Sequence, residues 1–182
     1  MDLAFAIGGD GFFGVRGQDG NTYYTRNGNF VLATDTNGLA LTTTDGLKVL
    51  DADGKPIVFD ESFVASQITV TADGQICYPD DQNNPQPLGM EIGLWQFNNP
   101  SGLQKTDSGL FSESAASGAA MNEYTTNSLV RSELRQGYLE GSNVQVADEM
   151  VNMIVAQRAY ELNSKAIQAS DEMMQQANNL RR

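Results

Sequence analysis

A chain of 182 residues with 40% apolar side chains can build one ordinary domain, or one domain plus an extension, around a real core. Its formal net charge of −12 argues against nucleic acid and against insertion into, or docking on, an anionic membrane, because both surfaces carry the same sign. There is no histidine and a single cysteine, Cys77, so neither an internal disulfide nor a Cys–His nucleophile pair can form.

The opening residues MDLAFAIGGDGFF have no basic start, and Gly8-Gly9-Asp10 interrupts the apolar run. A cleavable signal peptide is therefore not expected. No stretch approaches the ~18 consecutive apolar residues of a membrane span. The first half is then punctuated by Asp-Gly and Asn-Gly pairs at 10–11, 19–20, 27–28, 37–38, 45–46, 53–54 and 73–74. Such pairs accept the positive φ of tight hairpins, so each predicts a turn between short strands. The strands predicted between them are Phe12 to Arg16, Thr22 to Arg26, Asn29 to Ala33, Leu39 to Thr43, Lys48 to Leu50 and Gln67 to Thr71. Calcium is the other reading of repeated Asp-Gly, but the spacing drifts and the carboxylates do not recur at ligand offsets.

Residues 79–87, with three prolines, predict a polar loop. A strand is expected from Gly89 to Phe97 around the only tryptophan, Trp95. Residues 112–128, rich in Ser, Ala, Gly, Asn and Thr, predict an irregular connector or exposed loop, and Leu134 to Leu139 a last strand. Asp60-Glu61 and Asp80-Asp81 are the paired carboxylates an enzyme could use. Glycosidase carboxylates, however, face each other across a cleft about 5 to 10 Å wide, whereas sequence neighbours on a polar loop are solvated charges. With no metal-ligand cluster and no phosphate-binding glycine loop, no enzymatic activity and no cofactor is expected.

The chain changes character after Gly141: from Ser142 to Arg182 there is neither Gly nor Pro. This predicts one helix over Val144 to Leu180. Ser142 and Gln145 would form a capping box at its start, with Asp148 and Glu149 early and Arg181 and Arg182 late, as the helix dipole prefers. Glu161 and Lys165 are placed for an i, i+4 pair. On a seven-residue repeat, Val146, Met153, Tyr160, Ile167 and Met174 form one apolar row. Ala159, Ala166, Met173 and Leu180 form a second, and Val155, Leu162 and Ala169 a third. Together the rows span about 160° of the helix, far wider than the stripe of a two-stranded coil. Ala156, Asn163, Ser170 and Ala177 run between them as a mostly small row.

A face this broad suits a helix wedged among several others, and the chain has no second long helix to cover it. The expected interface comprises Val146, Met150, Met153, Ile154, Val155, Ala159, Tyr160, Leu162, Ala166, Ile167, Met173 and Met174. Ser142, Asn143, Gln145, Asn152 and Asn163 would set capping and register. The fold class is mainly β with a long C-terminal α-helix: a hairpin-rich outer domain over 1–140 and a helical assembly segment over 141–182. A β-rich adhesin or binding module with a coiled-coil stalk has the same pattern.

Residues 134–167, LRQGYLEGSNVQVADEMVNMIVAQRAYELNSKAI, closely resemble the C-terminal signature of the bacterial flagellar axial proteins, the rod and hook subunits. The segments Gln136-Gly137-Tyr138-Leu139-Glu140, Met150 to Ile154 and Gln157 to Glu161 carry the match. The opening AIGGDGFFGVRGQDGNTYYTRNGNF resembles the first β segment of that family. Within the family the distal rod of the basal body is nearest, ahead of the hook and proximal rod. The resemblance implies subunits exported through the flagellum's own channel and stacked helically with terminal helices inside and β domains outside. It also implies copies of this chain, proximal rod and hook subunits and the surrounding rings as partners. Family members begin with a helical segment, which this sequence lacks before its β segment, so a fragment is expected.

Overall fold

The computed structural model describes residues 3–179 except 37, 81, 107, 108, 127 and 142. The protein divides into a strand unit, Met1–Glu140, and a helical unit, Gly141–Arg182.

The strand unit opens with β1 (Ala4–Gly8), β2 (Phe12–Arg16), β3 (Thr22–Thr25), β4 (Gly28–Asp35), β5 (Gly38–Thr43), β6 (Lys48–Val49) and β7 (Val58–Phe59). It continues with β8 (Thr69–Val70), β9 (Gln75–Pro79), β10 (Pro85–Glu91) and β11 (Leu94–Gln96), then β12 (Gln104–Lys105), β13 (Phe111–Ser112), β14 (Met121–Asn122) and β15 (Glu133–Gln136). Twelve strands form one sheet with the main order β12-β13-β3-β2-β6-β5-β4-β1-β15. β11 joins it beside β2 and β14, and β7 beside β5. A second sheet has the order β10-β9-β8.

The signals at 19–20, 45–46, 53–54 and 73–74 close turns as expected, whereas Asp10-Gly11 and Asn27-Gly28 join strands that pair with others rather than with each other, and Asn37 lies outside the described residues. Gly20 and Gly46 sit at φ +81°, the left-handed region that a residue with a Cβ avoids. Each closes its turn by donating its N–H back three residues, to the Gly17 and Thr43 carbonyls. The β4–β5 pairing runs in register from Phe30↔Thr43 to Asp35↔Gly38. These strands, their neighbours and the links between them supply a core of Phe5, Phe13, Val15, Phe30, Leu41, Val49, Ile57, Ile76, Ile92 and Leu94, all nearly inaccessible to solvent. A smaller aromatic cluster holds Phe12, Tyr24, Trp95 and Phe97. There Tyr24 stacks edge-on against Phe97 at 4.8 Å, and its hydroxyl donates to the Glu113 carboxylate at 2.8 Å. Burial, then that bond, pushes the Tyr24 phenol well above its ordinary pKa. Trp95 needs two bare backbones beside it: a Cβ on Gly14 or on Gly93 would lie 2.3 Å from the indole.

Several sequence expectations change. β1 comes before the first predicted strand. It lies between β4 and β15, so its pairing is decided by residues far along the chain. The expected loop 79–87 shrinks to residues 80–84, because β9 reaches Pro79 and β10 begins at Pro85. Pro85 and Pro87 are tolerated there because β10 is an edge strand, where a missing N–H leaves no ladder bond broken. The expected connector 112–128 holds the end of β13, all of β14 and two buried polar side chains, Ser117 and Glu123. Glu123 accepts from the Ser132 amide (2.7 Å), the Ser132 hydroxyl (2.8 Å) and the Gln96 side chain (2.8 Å), which ties that segment down. The single strand expected over Gly89 to Phe97 divides into β10 and β11 at Ile92-Gly93. That expected over Gln67 to Thr71 is only Thr69–Val70, after a 3₁₀ turn. The last strand stops at Gln136, because Gly137 turns to φ +82°.

The helical unit is one helix, α1 (Val146–Asn179), of 34 residues. At 1.5 Å per residue it is about 51 Å long.

Candidate assembly surface

Helix α1 begins where the chain leaves residues that compete with helical hydrogen bonding. The Gln145 carbonyl is the first acceptor, taking the N–H groups of Asp148 (3.1 Å) and Glu149 (3.2 Å). Gln145 is thus the cap itself rather than the third helical residue, and the helix starts two residues after the expected Val144. Asn143 and the β-branched Val144 both disfavour helical backbone, which accounts for the later start. Ser142, the other half of the expected capping box, lies outside the described residues, as do Leu180, Arg181 and Arg182. Asp148 and Glu149 occupy the first turn, where the partial positive charge of the helix start favours carboxylates. Glu161 and Lys165 make no ion pair with each other; a solvent-exposed pair gains too little to hold two long side chains still.

All twelve residues of the expected interface are exposed on α1, the large apolar ones from Ile154 at 50% to Tyr160 at 77%. Asn152 and Asn163 are exposed as well. Seven residues advance a straight helix by about 20° less than two full turns. Val146, Met153, Tyr160, Ile167 and Met174 therefore follow a slowly drifting line about 42 Å long. Val151 is exposed as well, on the seven-residue row that continues through Arg158, Lys165 and Glu172. Val144, ahead of the helix, is exposed too, and so are Tyr138 and Leu139 at the end of the strand unit; no periodic pattern marks them in the sequence. An exposed apolar surface of this extent marks an interaction site.

The carboxylates that could have suggested catalysis serve turns instead. Asp60 is held below the ordinary carboxyl pKa chiefly by the Ser62 backbone N–H, then by the Ser62 hydroxyl. Asp80 is held low chiefly by the Asn84 backbone N–H. Asp81 lies outside the described residues. Among the described residues no group of three or more His, Cys, Asp or Glu side chains could hold a metal ion, and no helix is long and apolar enough to cross a membrane.

Residues 135–180 match the family described as flagellar basal body rod FlgEFG protein C-terminal, which takes in all of α1. Residues 6–78 match the flagellar hook protein FlgE/F/G D1 domain. The flagellar basal-body rod protein FlgG of Borreliella burgdorferi is 45% identical over 178 residues, 97% of this chain and 64% of that protein.

The chain belongs to the flagellar rod and hook protein family.

Other relatives within the rod and hook family agree. The flagellar basal-body rod protein FlgG of Bacillus subtilis is 41% identical over 180 residues, 99% of this chain and 66% of that protein. The flagellar hook-basal body complex protein FlhP of the same organism is 34% identical over 166 residues, 90% of this chain and 59% of its own length. The chain thus spans less than two thirds of the length of these curated relatives. Both matched segments carry the residues from which the resemblance was drawn: the opening strands and the run from Gln136 through α1.

Proposed function

We propose that this chain is a structural subunit of the distal rod of the bacterial flagellar basal body, the drive shaft that carries torque to the hook. Its α1 packs in an inner helical layer, and the strand unit forms the outer domain. The carrying observation is a 34-residue helix whose apolar side chains are exposed along its length. Burying such a face contributes roughly 25 cal/mol per Å² of apolar area, enough to drive helices together. Contacts between unlike surfaces that do not close on themselves build an open helical filament from copies of one chain. Copies of this chain are the first partners; proximal rod and hook subunits lie at the two ends, and ring proteins surround the shaft. The subunit acts without catalysis or cofactor. It reaches the periplasm-spanning part of the basal body through the flagellum's own export channel. Asn152 and Asn163 set helix register: a polar group that must find its partner penalises every shifted alignment.

The match to the hook D1 domain favours a second reading, a place elsewhere along the same axial structure, as a hook or proximal rod subunit. One experiment tests the assembly role. Met153→Asp together with Tyr160→Asp, placed in the full-length protein of a motile bacterium, is expected to abolish incorporation into the rod and swimming while the strand unit stays folded. Unchanged motility would refute the assembly role. Loss of hooks while complete rods remain would move the subunit from the rod to the hook.

A further inference from the structure

The segment Gln136-Gly137-Tyr138-Leu139-Glu140 carries part of the family resemblance, yet it lies before α1. Its contacts show a chain tied down at both ends and loose in the middle. At the first end, the Gln136 side chain acts as a missing strand. Its Oε1 accepts from the Val70 amide at 2.8 Å, and its Nε2 donates to the Ile68 carbonyl at 2.9 Å. The Gly137 amide donates to the Ala4 carbonyl at 2.8 Å. Tyr138 and Leu139 are then exposed and provide little packing.

At the far end, Glu140 is the last residue of the strand unit. Arg26 grips it with two bonds, Nε to Oε2 at 2.9 Å and Nη2 to Oε1 at 3.1 Å. The remaining nitrogen, Nη1, donates to the Gly9 carbonyl at 2.8 Å and the Gly11 carbonyl at 2.7 Å. The guanidinium carbon stands 5.6 Å from the centre of the Phe12 ring, whose other neighbours are the rings of Phe97 and Phe111. Arg26 is therefore held in place before it meets Glu140.

An ion pair whose partners are 27% and 43% exposed adds little to global stability, so stability does not explain this arrangement. Geometry does. A planar fork immobilised by two carbonyls and an aromatic ring leaves the bidentate carboxylate one place to sit. We infer that Arg26 and Glu140 are positioning residues: they fix the point at which the chain leaves the strand unit on its way to α1, and so pass load between outer domain and inner helix. This deepens the assembly reading above and rests on it.

Glu140→Gln is the discriminating change, because it removes the charge and keeps the shape. In the purified chain, the backbone order parameter at Glu140 is expected to fall from a rigid value near 0.85 to below about 0.6. The thermal midpoint of the strand unit should stay where it was. In the full-length protein of a motile bacterium, the same change is expected to impair swimming. Arg26→Ala combined with Glu140→Ala should be no worse than Arg26→Ala alone, since the first change already removes the contact that the second would break. An unchanged order parameter would overturn the inference, as would wild-type swimming despite a loosened segment. So would a large drop in thermal midpoint with Glu140→Gln, which would make the pair part of general folding. If the Met153 and Tyr160 changes abolish rods while Glu140→Gln does nothing, this inference fails and the assembly reading stands. If the helix changes also do nothing, the assembly reading fails first.

Discussion

The strand unit and the helix handle apolar surface and charge in opposite ways. Residues 1–140 hold 18 acidic and 7 basic side chains, whereas residues 141–182 hold 5 and 4. The first region buries its large apolar groups and carries nearly all of the net charge; the second exposes its apolar groups and is close to neutral. Like-charged strand units repel one another, which keeps them apart in solution. Near-neutral apolar helices meet no such barrier. The contrast teaches where cohesion between copies can come from. In the assembly proposed above, it would lie in the region with no core of its own, with the cored region as the outer domain.

That contrast can be broken by substitution. Phe13→Ala in the core should destabilise the strand unit by about 3 to 5 kcal/mol, whereas Met153→Ala in the isolated chain should stay within roughly 0.5 kcal/mol. Chemical denaturation followed at Trp95 measures the first, and helical circular dichroism the second. Equal effects would mean that the helix is no freer than the core. Gly14→Ala drives a methyl into the Trp95 indole and should cost about 1 to 3 kcal/mol, seen as an altered tryptophan emission and a lower midpoint. Ser132→Ala strips one donor from buried Glu123 and frees the Gly11 amide, whose bond to the Ser132 hydroxyl is 3.1 Å. A loss of about 1 to 3 kcal/mol is expected for leaving such groups unpaired.

Smaller effects sharpen the contrast. Asp19 is held below its ordinary carboxyl pKa of 3.8 chiefly by the Asn21 backbone N–H. Asp35 is held below it chiefly by the Lys48 ammonium, 2.6 Å away. A folded pKa below the unfolded one stabilises the fold above the unfolded value, and that contribution is lost as pH falls through the folded value. The melting temperature of the strand unit should therefore decline modestly as pH is taken below 3.8, and Asp19→Asn should flatten that decline. The smallest change is expected from removing residues 142–182. The product should stay soluble, show mostly strand circular dichroism and melt at the same temperature. Unfolding of that truncation would show that the helix is needed by the core.

Local chemistry made much of this legible from sequence. An Asp-Gly pair states its own turn, and a stretch of 41 residues without Gly or Pro states its own helix. The width of the apolar face needed only the 3.6-residue period. Long-range pairing could not be read in this way. β1 is short and apolar, and its neighbours are supplied by Asn29 and Gln136. The slot for Trp95 depends on Gly14, 81 positions earlier, which in sequence reads only as a weak spot in a strand. Arg26 and Glu140 are 114 positions apart, and neither looks unusual among the other surface charges. The prolines of 79–87 misled for a different reason: proline disfavours a central strand, and nothing local reveals that β10 has a free side.

One detail of the topology has a mechanical consequence. The beginning of β1 lies beside the end of β15, with Phe5 opposite Gln136 and Gly8 opposite Glu133. Pulling residues 3 and 137 in opposite directions would open this pair like a zipper, one bond at a time. Drawing both the same way moves the two strands together and leaves the bonds between them unstrained. A chain built so withstands any load that moves both strands together, and yields readily to one that drags them apart.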